Sequence, residues 1–304
     1  MNIFITGATG FIGGSVAARF IAEGFSVRGL VRTEAQAARL RALGVEPVIG
    51  TLADADILTR EAQRADAVVN AASSDNLPAV ETLLNALAGS NKVFIHTSGS
   101  SVVGDDARGE WVSEKIFDEE TVYTPAPEKA DRAALDKLII AAAGRGVRSV
   151  ILCNTMIYGN GLGLNPYSVQ IPPLVAQARK SGIARFVGKG VNIWSNVHIE
   201  DVVDLYLLAL KKAPAGSLYY VENGEASYKD ITTAIAQRLG LDAPQSWPVE
   251  EAIKEWGFGH AVYSFGSNSR VSAKRARNDL GWTPKHASVI DWIKNDMKIS
   301  EEVA

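Results

Sequence analysis

The segment Thr6-Gly7-Ala8-Thr9-Gly10-Phe11-Ile12-Gly13 joins an apolar run, Ile3–Thr6, to an alanine-rich stretch, Phe11–Ala22. The run is typical of a buried strand and the stretch of a helix, so the glycines occupy the turn between them. Small residues at such a turn let the backbone approach a pyrophosphate, which the positive end of the helix attracts. The G-x-x-G-x-x-G spacing therefore predicts a dinucleotide-binding loop, with a tight turn that binds nothing as the alternative.

The first half of the chain repeats this alternation of strand and helix. Further runs rich in Val and Ile have the composition of strands buried on both faces: Val27–Val31, Val45–Ile49, Ala67–Ala71, Val93–Thr97 and Val147–Cys153. The stretches between them are typical of helices: Glu34–Leu43, Ala55–Arg64, Pro78–Ala88 and Lys129–Ala143. Such alternation predicts an α/β protein with a doubly wound, Rossmann-type parallel sheet.

After about residue 155 the alternation loosens and aromatic residues become frequent. All but one of the 6 Trp and all but one of the 8 Tyr follow residue 150. We therefore predict a dinucleotide-binding Rossmann domain over residues 1–155 and a smaller C-terminal region, mainly substrate-binding, over residues 156–304. Segments near residues 190–215 are expected to return to the Rossmann sheet, and the lack of a Pro/Ser-rich linker predicts that both parts pack together.

The composition restricts the classes of function. The chain has 304 residues, 47% of them hydrophobic, and a net charge of −3, so it can bury a core and shows no basic excess. We expect no nucleic-acid or membrane partner, because no apolar run reaches the roughly 20 residues of a membrane span. The single cysteine, Cys153, and the absence of a recognisable signal peptide predict a cytoplasmic protein. The 4 histidines lack metal-ligand spacing, so no metal is expected.

Four further segments extend the pattern along the chain: Phe94–Gly104, Ile157–Gly159, Asn196–Val203 and Leu280–Pro284. Together with the glycine loop they resemble the extended or atypical branch of the short-chain dehydrogenase/reductase superfamily, whose members include NAD(P)-dependent epimerases and dehydratases. In that branch the four segments correspond to a serine-bearing strand, a Y-G-P turn, a V-H-x-x-D segment and a terminal L-G-W-x-P. The resemblance covers nearly the whole chain and implies a nicotinamide cofactor.

The end of the second predicted strand, Leu30-Val31-Arg32-Thr33, indicates which nicotinamide cofactor is bound. It has no carboxylate to hold the ribose hydroxyls of NAD, whereas Arg32 can form forked hydrogen bonds with a 2′-phosphate and Thr33 can add a hydroxyl. We predict a preference for NADP(H), with NAD(H) as the alternative, although a solvated arginine would look the same. The resemblance and the loop chemistry nominate as further cofactor contacts Gly7, Thr9, Gly10, Phe11, Ile12, Gly13, Leu52, Ala71, Ala72, Thr97, Lys129, Arg132 and Tyr158.

The catalytic positions of the family are altered in this chain. The resemblance implies a proton-donating tyrosine followed four residues later by a lysine, but alignment places Glu128 and Arg132 at those positions. Tyr123 and Lys129 are the available donors, and we favour Lys129, since burial in an apolar pocket would lower its pKa. A surface position on an amphipathic helix is the alternative for each.

The serine that orients the substrate carbonyl in the family is also displaced. Gly99 stands at its position, so Ser98 or Ser100 is the expected hydroxyl. A serine-rich loop that bonds its own backbone is the alternative.

The second half of the chain carries the predicted substrate residues, which combine amides with aromatic rings: Asn160, Tyr167, Trp194 and Asn196. They suit a hydroxyl-bearing molecule such as a nucleotide sugar, whose diphosphate could meet Arg179, Lys180, Arg185 or Lys189, while a small carbonyl compound stays open.

We therefore predict an NADP(H)-dependent oxidoreductase or epimerase that acts by hydride transfer on a carbonyl- or hydroxyl-bearing small molecule. The missing Y-x-x-x-K pair supports a second hypothesis, a catalytically silent dinucleotide-binding sensor or regulatory protein. By resemblance, a homodimer through Pro78–Ala88 and Lys129–Ala143 is expected.

Overall fold

The computed structural model describes residues 1–298 of the chain. Its strands are β1 (Asn2–Thr6), β2 (Ser26–Val31), β3 (Glu46–Ile49), β4 (Ala67–Asn70), β5 (Val93–Gly99), β6 (Arg148–Asn154), β7 (Met156–Tyr158), β8 (Arg185–Val187), β9 (Ile193–His198), β10 (Ser217–Val221), β11 (Glu225–Ser227) and β12 (Gln245–Trp247). Its α-helices are α1 (Phe11–Ala22), α2 (Glu34–Ala42), α3 (Ala55–Arg64), α4 (Leu77–Leu87), α5 (Ala130–Ala141), α6 (Ile171–Ser181), α7 (Ile199–Lys212), α8 (Tyr228–Leu239), α9 (Val249–Tyr263), α10 (Lys274–Leu280) and α11 (Val289–Asn295). Within residues 1–298, no helix is both long and apolar enough to cross a lipid bilayer.

Seven of these strands form one sheet in the order β10-β6-β5-β4-β1-β2-β3, and every neighbouring pair is parallel. The prediction of a doubly wound parallel sheet is confirmed. The chain winds outward in both directions from β1 and β4, which are neighbours. A crevice opens at such a switch point, outside the carboxyl ends of the strands, and ligands of this fold class bind there.

A second hydrophobic core lies in the C-terminal part of the chain. It contains Phe186, Trp194, Tyr228 and Phe265, and it is built around two small sheets, β11-β9-β7 and β12-β8. Between these elements the chain returns to the Rossmann sheet, because α7 packs on α1 and β10 pairs with β6. The domain boundary at residue 155 stays a prediction.

Candidate active site

The glycine loop connects β1 to α1 in a conformation that excludes side chains. Gly7 has a φ of +79°, and a Cβ on it would lie 2.7 Å from the Ala71 carbonyl carbon. A Cβ on Gly13 would lie 2.8 Å from the carbonyl carbon of Gly7. Helix α1 has no side-chain cap and no acidic residue in its first turn. Its first backbone N–H groups are therefore available to an anion.

A cavity of about 340 Å³ adjoins this loop. Seven predicted cofactor residues line it, namely Gly7, Thr9, Gly10, Arg32, Leu52, Ala71 and Ala72. Phe11, Ile12 and Gly13 follow in the first turn of α1, and Thr33 caps α2, where its Oγ1 accepts a hydrogen bond from the Gln36 backbone N–H at 3.3 Å. Thr97, Lys129, Arg132 and Tyr158 do not line this cavity. It lies beside the glycine loop and the end of β2, where the adenosine half of a dinucleotide binds in folds of this class.

Arg32 is the cation at this cavity. Its side chain is exposed, and it forms no ion pair with any described residue. Glu34, the first carboxylate after β2, is paired with Arg41 at 2.5 Å. Among the described residues, the end of β2 therefore offers a free positive charge and no unpaired carboxylate, a chemistry that suits a phosphate.

A buried polar network joins the ends of three strands beneath the loop. Thr6 Oγ1 donates to Asn70 Oδ1 at 2.6 Å, and Asn70 Nδ2 lies 3.1 Å from His96 Nδ1. His96 Nε2 is buried and has no hydrogen-bond partner in the described part of the chain. Burial lowers the pKa of His96 to about 4, so the imidazole is neutral at pH 7. The network ties β1, β4 and β5 together where the cavity opens.

His96 is expected to make the protein less stable in acid. Its pKa is about 4 in the folded chain, against an ordinary value of 6.5 for histidine. The unfolded chain therefore binds more protons in that interval, and the free energy of unfolding falls as pH drops from 6.5 towards 4. From pH 7 to 5 this contribution amounts to about 2 kcal/mol. Urea titrations at both pH values should show a smaller loss for His96→Gln than for the wild type; equal losses would contradict the assignment.

The two candidate proton donors have different surroundings. Lys129 ends a short 3₁₀ turn just before α5, is half-buried, and its Nζ lies 5.6 Å from the ring centre of Tyr263. Burial, and secondly the charge of Arg132, lowers the pKa of Lys129. Tyr123 packs edge-on against Phe117 at 6.2 Å, and burial raises its pKa to about 12. Burial therefore makes it easier for Lys129 to give up its proton and harder for Tyr123 to do so.

The three nominated hydroxyls at the end of β5 and just after it have partners inside the protein. Ser98 Oγ donates to Asp136 Oδ2 at 2.8 Å, and burial raises the pKa of Asp136 to about 6. Ser100 is fully buried, and its Oγ lies 2.8 Å from Ser269 Oγ. Thr97 Oγ1 lies 2.7 Å from the Tyr206 hydroxyl.

Arg132 binds a residue that the sequence did not nominate. Its Nε and Nη2 donate to the two carboxylate oxygens of Asp75 at 2.7 and 2.5 Å, and its Nη1 donates to Ser101 Oγ at 3.1 Å. Asp75 lies in the loop after β4, 57 residues before Arg132 in the chain. No local pattern connects residues so far apart, and only the fold brings them together.

The predicted substrate residues lie in different places. Asn160 and Tyr167 line a second cavity of about 200 Å³, which also includes Trp292. Trp194 is buried in the C-terminal core, where its Nε1 donates to the Ser267 carbonyl at 2.9 Å. Asn196 is buried too, and its side-chain atoms have no partner among the described residues.

The predicted cofactor contact Tyr158 is buried in the C-terminal core, and its hydroxyl donates to the His286 carbonyl at 3.1 Å. The edge of its ring packs against His198, whose centroid is 5.2 Å away. The Tyr158 side chain therefore packs inside the C-terminal core and does not line the cavity beside the glycine loop.

Lys180, Lys189 and Arg185, which were considered for a diphosphate, contact other side chains. Lys180 pairs with Glu255 at 2.9 Å, and Lys189 pairs with Glu110 at 3.3 Å. Arg185 donates to Gln245 at 3.0 Å. A diphosphate would have to displace these partners.

Two histidines that are distant in sequence meet in the structure. His198, His286 and Glu200 bring potential ligand atoms within 4.8 Å of one another. The two imidazole rings stack with centroids 3.9 Å apart and planes 26° apart. Because a metal ion lies in the plane of each ligating imidazole, stacked rings do not converge on one ion. We assign no metal to this cluster.

The NAD dependent epimerase/dehydratase family matches residues 3–221, from β1 through β10. The chain belongs to this family. A Schizosaccharomyces pombe protein is 31% identical over 97% of this chain and 99% of its own length. The 4-hydroxy-2-methyl-3-oxo-4-farnesyl-3,4-dihydroquinoline-1-oxide ketoreductase of Stigmatella aurantiaca is 24% identical over 97% of this chain and 96% of its own.

Solved structures share the fold of this epimerase/dehydratase family member. The dTDP-glucose 4,6-dehydratase DesIV of Streptomyces venezuelae, solved with NAD and TYD bound, matches with a TM-score of 0.76 at 22% identity. The match covers 97% of this chain and 95% of DesIV. The resemblance to the extended branch of the short-chain dehydrogenases/reductases is confirmed, and relatives in the family include reductases and dehydratases.

Proposed function

We propose that this protein is an NADP(H)-dependent oxidoreductase that reduces a carbonyl group of a small molecule by hydride transfer, or epimerises a hydroxyl-bearing carbon through a transient ketone. The observation that carries the proposal is the cavity beside the glycine loop, where Arg32 supplies a free charge and no carboxylate stands at the end of β2. Family membership and the ketoreductase among the relatives support the chemistry.

The residues around the cavity fit such a cofactor. Side chains at Gly7 and Gly13 would collide with the backbone of Ala71 and Gly7, so only glycine allows this close-packed loop, and the uncapped start of α1 can receive a pyrophosphate. Arg32 would hold the 2′-phosphate. NAD(H) is the alternative cofactor, because it lacks only that phosphate.

Lys129 would supply the proton. When bound, the nicotinamide supplies the hydride that the carbonyl carbon accepts. The oxygen then needs a proton, which Lys129 holds at Nζ and can release because burial has lowered its pKa. In this proposal Ser98 and Ser100 organise the end of β5 through their buried hydrogen bonds. Tyr123 is the alternative donor.

The substrate in this proposal is a small carbonyl compound rather than a nucleotide sugar. A diphosphate is normally held by positive charge, and Lys180, Lys189 and Arg185 already have surface partners. A nucleotide sugar is the second candidate, since DesIV was solved with TYD. We retain the cytoplasm as the compartment because Cys153 is free and buried. The predicted homodimer stays a prediction.

A catalytically silent sensor is the second candidate function. Glu128 and Arg132 in place of the family's tyrosine and lysine favour it. The two functions separate in one assay, in which NADPH fluorescence is followed with a panel of ketones, aldehydes and nucleotide sugars. Consumption with any compound supports the oxidoreductase, whereas tight NADPH binding without consumption supports the sensor.

Replacing Arg32 with glutamate is expected to reduce the preference for NADPH over NADH by about 10- to 100-fold, because a charge-assisted hydrogen bond to the 2′-phosphate is lost and a like charge faces it. Fluorescence titration of both cofactors measures the ratio of dissociation constants. Arg39→Glu makes the same charge change further along α2 and serves as the control. An unchanged ratio in Arg32→Glu would refute the NADP(H) assignment.

A further inference from the structure

Gly99, the last residue of β5, faces the guanidinium of Arg132. A Cβ on Gly99 would lie 3.4 Å from Arg132 Nη1 and 3.9 Å from the Asn154 carbonyl oxygen. Apart from the two chain neighbours of Gly99, no other atom of residues 1–298 lies within 4 Å of this Cβ position. The space in front of Gly99 is thus bordered by a cation and is otherwise open to a small group.

Arg132 is held rigidly and still has donors to spare. A guanidinium has five N–H groups, and three are used here, two by Asp75 and one by Ser101. One N–H on Nη1 and one on Nη2 are therefore left for a ligand. The side chain is 18% exposed, so its charge is shielded from bulk water and acts more strongly on a neighbouring oxygen.

We propose that Arg132 is a catalytic residue that binds the substrate's carbonyl oxygen in front of Gly99 and stabilises the negative charge that develops there. This rests on the proposed reductase function and adds the group that polarises the carbonyl. Asp75 is a positioning residue, because its bidentate ion pair orients the guanidinium. A fixed cation at the developing oxyanion is the kind of arrangement that lowers the barrier to carbonyl reduction.

The other candidates for this role are less suitable. Ser98 and Ser100 are buried and already bound to Asp136 and Ser269. Lys129 lies three residues before Arg132, and its lowered pKa makes its ammonium group a better proton donor, so it suits proton supply. In the balanced step the carbonyl carbon gains the hydride, the oxygen becomes an alkoxide on Arg132, and Lys129 gives that oxygen its proton.

Binding of benzoate tests the site without a reaction. A carboxylate presents an anionic oxygen on a trigonal carbon, and benzamide of nearly the same shape does not carry the charge. In calorimetric titrations of the protein saturated with NADP+, benzoate should bind at least about tenfold more weakly to Arg132→Ala than to the wild type. The affinity for benzamide, measured in the same way, should differ by less than about twofold between the two proteins. Equal benzoate affinity in the two proteins would overturn the proposal.

Kinetics with a carbonyl substrate give the second readout. Arg132→Ala should lower kcat by about 100-fold, as for loss of one oxyanion donor, with little change in NADPH affinity. Added guanidinium should restore part of the rate, and Arg132→Gln repeats the test if the alanine variant unfolds. A weaker NADPH affinity with unchanged kcat would make Arg132 a cofactor contact and overturn the proposal. A wild type that binds benzoate through Arg132 but consumes no NADPH would instead refute only the reductase function.

Discussion

Replacing Lys129 with methionine is expected to lower the rate of carbonyl reduction by about 100- to 10,000-fold, the usual contribution of a positioned general acid. Methionine keeps the apolar length of the side chain and removes the proton. The rate to be measured is the single-turnover oxidation of bound NADPH with a saturating ketone, because it isolates the chemical step. The affinity for NADPH should change little.

The pH dependence gives the same assignment an independent test. Lys129 must be protonated to act as an acid, so the rate should fall as pH rises through its pKa. Burial, followed by the charge of Arg132, places that pKa below the ordinary lysine value of 10.5. The alkaline decline of the wild type should therefore begin below that value and be absent from the residual rate of Lys129→Met.

Two variants complete the test of Lys129. Lys137→Met removes an exposed lysine from α5, the helix that follows Lys129, and should leave the rate unchanged. Tyr123→Phe should also retain the rate, because burial raises the pKa of this phenol to about 12 and keeps it from releasing a proton. If Tyr123→Phe abolished reduction and Lys129→Met did not, the roles of the two residues would have to be exchanged.

Replacing Gly13 with valine is expected to weaken the binding of both NADPH and NADH by about 100-fold or more. Its Cβ would stand 2.8 Å from the carbonyl carbon of Gly7 and 3.3 Å from the Ala71 Cβ. The first contact is with backbone, which cannot rotate away as a side chain can. The loop must therefore move, and the N–H groups that receive the pyrophosphate move with it.

Gly259→Val is the matched control for the Gly13 variant. Gly259 lies in α9, and a Cβ there would meet no described atom within 4 Å. Its cofactor affinity should equal that of the wild type. Circular dichroism must show that both variants are folded, with Gly13→Ala as the milder substitute if Gly13→Val is not. Undiminished binding in a folded Gly13 variant would mean that the loop does not hold the pyrophosphate.

Much of the Rossmann half could be predicted from short-range patterns. The apolar runs and the glycines that follow them specify parallel strands and their turns, because burial on both faces leaves a continuous Val- and Ile-rich run. The segment from Gly7 to Gly13 likewise fixes a local backbone shape, and Arg32 takes its place from being the residue just after β2. These features need only the neighbours in the chain.

The sequence showed that the family's catalytic positions are altered. It did not show which side chains surround the residues that stand near those positions. Sequence order predicted hydroxyls at Ser98 and Ser100, while in the fold α5 and the Ser269 region supply buried partners for them. Trp194 was expected in a cleft, yet its segment pairs within the C-terminal sheet and its ring enters that core. Burial of a side chain depends on which distant segment covers it, and local composition does not encode that.

The sequence by itself determined the parallel sheet, the glycine loop and the charge at the end of β2, because each arises from interactions between near neighbours in the chain. The tertiary structure decided the rest of the candidate site. It placed Arg132 against Asp75 and in front of Gly99, across separations of 57 and 33 residues that no motif spans. Such contacts form only when the crossovers of the sheet bring the ends of β4 and β5 to the start of α5.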